Sequence, residues 1–173
     1  MKTRFTQIIL LLFFSNLFSQ SINRLDLNYG FKTFKFGTDI SKLTNIEDAN
    51  NIVNNMNEYI YVGDDINKIQ EVDISRISLY FYKNKLSAIG ISFGWNENYT
   101  LDEYNRVNYG LNNSFGKPTT NCIGQSNTLN CDIWVGNKVK LEHNRINGES
   151  GKIIGYIILE EKNMRQSRIN SDF

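Results

Sequence analysis

The chain has 173 residues, the length of one ordinary domain, and 40% of them are apolar, which excludes a large multidomain assembly. Its 19 Lys and Arg nearly balance 18 Asp and Glu, so no surplus of positive charge points to nucleic acid or to an anionic membrane surface as partner. One His and two Cys leave little material for imidazole or thiolate catalysis or for a metal centre, and no cofactor is expected.

At the N-terminus, Lys2 and Arg4 precede an apolar run from Ile8 to Phe14, followed by Ser15, Asn16, Leu17, Phe18, Ser19 and Gln20. This is the pattern of a signal peptide over residues 1–19, with cleavage expected after the small residue Ser19. The run is far short of the roughly 20 residues needed to span a bilayer, and no later stretch approaches that length, so no membrane span is expected in the mature chain. No Cys stands at its end to carry a lipid. Loss of Lys2 and Arg4 leaves 17 basic and 18 acidic residues, and the expected location is periplasmic or secreted.

The mature chain, with no Pro-rich or Gly/Ser-rich linker, reads as a single domain over residues 20–163 with a polar tail at 164–173. Alternation predicts a first strand from Phe31 to Phe36. From Thr44, a capping box with Glu47 and apolar Ile46, Ala49, Val53 and Met56 at helical spacing predict a helix over residues 44–57. Asn50, Asn51, Asn54, Asn55 and Asn57 oppose it, each costing about half a kcal/mol against Ala. A strand follows at Glu58 to Val62. The acidic stretch Gly63, Asp64, Asp65, Asn67, Glu71 and Asp73 holds oxygen ligands suited to calcium, but lacks the spacing and central Gly of an EF-hand loop and reads as a solvated turn.

Between Ile74 and Tyr82, Ile77, Leu79 and Phe81 alternate with Ser78, Tyr80 and Tyr82. Between Leu86 and Trp95, Ile89, Ile91, Phe93 and Trp95 alternate with small residues, and Lys83, Asn84 and Lys85 make the turn of an antiparallel hairpin. Thr100 and Glu103 form a capping box ahead of Leu101, Tyr104, Val107, Leu111 and Phe115, one face of a helix that Gly116 and Pro118 end. Asp102 can pair with Arg106 one turn on.

In an oxidising compartment Cys122 and Cys131 are expected to form a disulfide across the loop Ile123 to Asn130, contributing about 2.5 to 3 kcal/mol in the chain-entropy view. Further strands are predicted at Cys131 to Val135, Lys138 to His143 and Lys152 to Glu160, with turns at Gly136-Asn137 and Asn147-Gly148. The fold class is α+β: a mostly antiparallel sheet with one or two helices packed on one face.

Gly30-Phe31 through Phe36-Gly37-Thr38, the Phe81-Tyr82-Lys83 strand running into Lys85-Leu86, and the helix ending in Phe115-Gly116-Lys117-Pro118 resemble small exported bacterial proteins of unassigned activity, over roughly residues 30 to 160. The resemblance implies a compact exported α+β domain and carries no catalytic set.

Gly90-Ile91-Ser92-Phe93-Gly94 matches the G-x-S-x-G nucleophile elbow, with Asp132 and His143 following in hydrolase order. An elbow needs a helix directly after the serine, whereas Trp95 to Tyr99 intervene, and alternation explains Ser92 as the solvent-side neighbour of buried Ile91 and Phe93. Gly110 to Lys117 fails as a phosphate loop by spacing and by the Pro118 that follows. His143 reads as a surface or edge residue of its strand. The remaining candidate is a surface: Tyr59, Tyr61, Tyr80 and Tyr82, on faces opposite Ile60, Val62, Leu79 and Phe81, with Ala88, Gly90, Ser92 and Gly94 offering little bulk beside them. Such a floor suits a sugar or a peptide. The leading expectation is a non-enzymatic binding or accessory protein of the cell envelope, recognising a protein, peptide or glycan. The alternatives are a small hydrolase using Ser92, or an inhibitor or immunity-type protein presenting the loop Ile123 to Asn130.

Overall fold

The computed structural model describes residues 24–94, 97–122, 127–148 and 151–171. The expected leader, Trp95 and loop residues 123–126 lie outside them. A first helical stretch, α1, covers residues 24–28. Two short hairpins flank the main sheet: β1 (Gly30–Phe31) with β2 (Phe34–Lys35), and β5 (Lys68–Ile69) with β6 (Val72–Asp73). The expected strand from Phe31 to Phe36 is thus a tight hairpin, with Lys32 at φ 48° in its turn.

The main sheet has eight strands: β3 (Ile46–Val53), β4 (Met56–Tyr61), β7 (Arg76–Tyr82), β8 (Lys85–Phe93), β9 (Thr120–Asn121), β10 (Thr128–Val135), β11 (Val139–Asn147) and β12 (Ile153–Glu161). Their order is β3-β4-β7-β8-β12-β11-β10-β9, and every pairing is antiparallel. Helix α2 (Leu101–Phe115) bridges the two halves of the chain, and the last strand, β12, returns to the sheet centre beside β8. The fold is α+β. No helix among the described residues is long and apolar enough to cross a membrane.

Alternation gives the sheet two unlike faces. On the inner face, Ile77, Leu79, Phe81, Ile89, Ile91, Phe93, Leu141, Ile157 and Leu159 are all at most 3% exposed and form the core. Tyr104, Val107 and Leu111 of α2 lie in the same cluster. The capping box at Thr100 and Glu103 is formed, Asp102 pairs with Arg106 at 3.1 Å, and Gly116 ends the helix at φ 76°. Asp26 of α1 accepts backbone N–H bonds from Asn137, Lys138 and Val139, tying the start of the domain to the β10–β11 turn.

Two further segments differ from expectation. The helix predicted from Thr44 is the β3–β4 hairpin: Asn54 and Asn55, at φ 49° and 61°, form its two-residue turn, and Asn45 and Asn50 also have positive φ. Asn tolerates the left-handed region better than other non-Gly residues, so its abundance here serves turns and a bulge. The polar residues after 163 belong largely to helix α3 (Lys162–Ser171), whose Arg168 is 5% exposed and donates to Ser87 Oγ at 3.1 Å.

Candidate functional site

The two sheet faces divide the chemically interesting side chains. Under α2, His143 of β11 is fully buried, which corrects its reading as a surface or edge residue. Its ring stacks on Tyr104 at a 4.2 Å centroid distance. Tyr99 donates its hydroxyl proton to Nε2 at 3.0 Å, and Nδ1–H donates to Asn108 Oδ1 at 3.1 Å. Asn108 Nδ2 and Tyr104 OH both donate to Asp132 Oδ2, at 2.6 and 2.7 Å. Both imidazole nitrogens are therefore satisfied by neutral partners, and burial holds the ring neutral, with its pKa lowered to about 3. Burial likewise raises the Tyr99 and Tyr104 hydroxyls, so both stay protonated donors. Tyr99 seats its ring flat against Phe93, at 5.1 Å and 13°, over the bare backbone of Gly155. A Cβ at Gly155 would fall 2.1 Å from that ring, so only glycine fits. Neither imidazole nitrogen of His143 is left without a partner in this cluster.

Register also separates the hydrolase residues. Ser92 pairs with Tyr156, and His143 pairs with Ile157, the next residue of the same strand. Their side chains thus leave the sheet on opposite faces, and Asp132, cross-strand from His143, is committed to Tyr104 and Asn108. The three residues share the order of a triad without its geometry.

The same register splits the four tyrosines. Tyr59 pairs with Leu79 and meets Phe81 edge-on at 5.4 Å, and Tyr61 meets Phe34 edge-on at 5.1 Å, so both pack toward the core. Tyr80 pairs with Glu58 on the outer face. Tyr82 lies at the turn with Lys83 Nζ over its ring, 5.2 Å from the centroid. Ile60, expected on the buried side, pairs with Ser78 on the outer face, and Val62, just past β4, is 49% exposed.

What the outer face does hold is a groove of about 650 Å³. Tyr80 and Tyr156 bound it, Ile154 and Ile158 supply apolar wall, and Gly90, Ser78 and Ser92 form its small-residue floor. Tyr80 leans over Gly90, where a Cβ would meet its ring at 3.3 Å. Burial, then the negative charge of Glu58, raises the Tyr80 hydroxyl pKa, and burial with Glu142 does the same for Tyr156, so both present neutral O–H groups. Beside the groove, Glu58 is 5% exposed and accepts from Arg76 and Asn51, each at 2.6 Å. Burial raises its carboxyl pKa, but hydrogen bonds from Ser78, Asn51 and Arg76 outweigh this and leave it lowered. Tyr156, Ile154 and Ile158 escape a sequence reading because only the pairing of β12 with β8, more than 60 residues apart in the chain, brings them to Ser92 and Gly90.

Elsewhere, Asp73 pairs with Lys68 at 3.2 Å across the β5–β6 hairpin, and Tyr61 donates to Asp65. Among the described residues, no three His, Cys, Asp or Glu side chains are grouped to hold a metal ion. Cys122 and Cys131 are joined in a disulfide that staples the strand edge at β9 and β10, where Cys122 N–H also bonds the Cys131 carbonyl at 3.3 Å. Comparison with protein families, with curated proteins and with solved structures finds no match to this chain.

Proposed function

We propose that the protein is an exported, non-enzymatic binding or accessory module of the bacterial cell envelope, and that its ligand lies on the outer sheet face between Tyr80 and Tyr156. The observation that carries this reading is the groove: two half-buried tyrosines with neutral hydroxyls, apolar Ile154 and Ile158, and a floor of Gly90, Ser78 and Ser92. Rigid aromatic side chains contribute large contact area at small entropic cost, and hydroxyls at the margin supply direction. The composition suits the sugar face of a glycan or an extended peptide. Export is supported by the signal-peptide pattern of residues 1–19 and by the Cys122–Cys131 disulfide, since such bonds persist in oxidising compartments. Against the hydrolase alternative stands the placement of Ser92 and His143 on opposite faces.

Glycan and peptide arrays probed with the folded protein test this directly. Tyr80→Ala and Tyr156→Ala should each weaken the selected ligand by about tenfold or more, as expected on removing an aromatic anchor. Unchanged binding in both variants would remove the groove from consideration.

A further inference from the structure

A second cavity, of about 350 Å³, opens on the other side of the sheet, beside the β1–β2 hairpin and the C-terminal half of α2. Its walls are the partly exposed Phe31, Ile69 and Phe115 with the buried Leu111, and its base reaches the core at Ile157 and Leu159. The charged residues that line it are both lysines. Lys32 Nζ stands 5.8 Å over the ring of Phe31, and Lys35 Nζ donates to the carbonyl of Asn28 at 2.9 Å; Phe31 and Asn28 are themselves lining residues, so both ammonium groups sit at the rim. By contrast, the polar cavity at the β7 side of the sheet is lined by Asp73, Glu97, Glu103 and Arg76. At one side of the crevice Gln70 of the β5–β6 turn fills the space over Gly110, where a Cβ would fall 2.5 Å from its Cγ.

An apolar crevice with cations at its mouth and no carboxylate in its lining is complementary to a molecule with an anionic head and a single hydrocarbon chain. The geometry points to a binding site for an anionic single-chain amphiphile, its head between Lys32 and Lys35 and its chain against Phe31, Leu111 and Phe115. The head is a carboxylate or a phosphate, the first as in a free fatty acid and the second as in a lipid headgroup. This site is separate from the outer groove and does not depend on it.

Titration calorimetry of the full folded chain, below the micelle concentration of each probe, tests the assignment with decanoate, decyl phosphate, decanol and decyltrimethylammonium. One of the anionic probes should bind at least about tenfold more tightly than decanol and the cationic probe, and which one it is separates the two sources. Octanoate or octyl phosphate should bind at least about tenfold more weakly than its ten-carbon homologue, because each buried methylene contributes. In the double variant Lys32→Gln, Lys35→Gln, both at exposed positions, the preference for the anion should disappear. Ser114→Trp, exposed on α2 at the rim, should block the crevice and reduce binding by at least about tenfold, while Tyr80→Ala should leave it unchanged. Equal affinity for decanol and both anions, no binding of either anion, or undiminished binding in both crevice variants overturns the proposal, and loss of binding in Tyr80→Ala reassigns the ligand to the outer groove.

Discussion

The two faces of the sheet use the same device to different ends. On each, a tyrosine lies over a glycine of a central strand: Tyr99 over Gly155 on the inner face, Tyr80 over Gly90 on the outer. Inside, the ring is 1% exposed, stacked on Phe93 and hydrogen-bonded to His143, and the missing side chain of Gly155 is fully occupied. Outside, Tyr80 is half-buried, the fit to Gly90 is looser, and the adjoining space is open. The titratable groups that resemble catalytic machinery therefore sit where packing consumes them, and the open face carries hydroxyls and rings suited to contact. A buried polar network whose members are satisfied rigidifies a core and helps to specify it.

The inner face should be most sensitive at His143. Replacing His143 with Ala removes a buried stacked ring and strands the Tyr99 hydroxyl and the Asn108 carbonyl, a loss of about 3 to 5 kcal/mol that urea denaturation would read. A drop below about 1 kcal/mol would mean the network is not closed.

Acid should act on the same group. The folded pKa of His143 lies below its unfolded value of about 6.5, so the unfolded chain binds the proton more readily, and the contribution is fully present above about pH 6.5 and lost as pH falls toward about 3. Between pH 7 and pH 4 this single group removes about 3 kcal/mol of stability. A stability-versus-pH series on the protein and on His143→Gln checks it: the variant should lack this part of the acid sensitivity, and parallel curves would contradict the assignment. Glu58, whose folded pKa is also lowered, acts in the same direction at more acidic pH in both proteins.

The glycines sharpen the contrast. Gly155→Ala drives a methyl into the Tyr99 ring and should cost about 2 to 3 kcal/mol, whereas Gly90→Ala needs Tyr80 to yield by only a few tenths of an ångström and should cost about 1 kcal/mol or less. Thermal melts of the two variants distinguish them, and equal losses would show that the faces are packed alike.

Much of this architecture is legible in the sequence. The alternation of Ile77, Leu79 and Phe81 with Ser78 and Tyr80, the turn at Lys83 and Asn84, and the capped helix after Thr100 are local signals, and each is read from neighbouring residues. The disulfide follows from two Cys in a chain that reads as exported. The β3–β4 hairpin is misread because Ile46, Ala49, Val53 and Met56 satisfy a helical period, while the decisive signal is the Asn54-Asn55 pair, whose φ values only a turn explains. The candidate site is half legible. Tyr80 is found by alternation, but Tyr156 and the removal of Tyr59 to the core depend on strand pairing between distant segments, which no local pattern encodes. The burial of His143 is nonlocal in the same sense, since its ceiling is α2 and its partners Tyr99, Tyr104 and Asn108 come from that helix and the loop before it, more than 30 residues away in the chain.

The proposed outer-face site holds its ligand without transforming it. A ¹⁵N-resolved NMR titration with the strongest array ligand measures both halves in one sample. Shifts should cluster at Tyr80, Gly90, Ser92, Ile154 and Tyr156, with the ligand's own resonances unchanged over time. Shifts centred on His143 and Tyr104, or the appearance of a hydrolysed ligand, would contradict it.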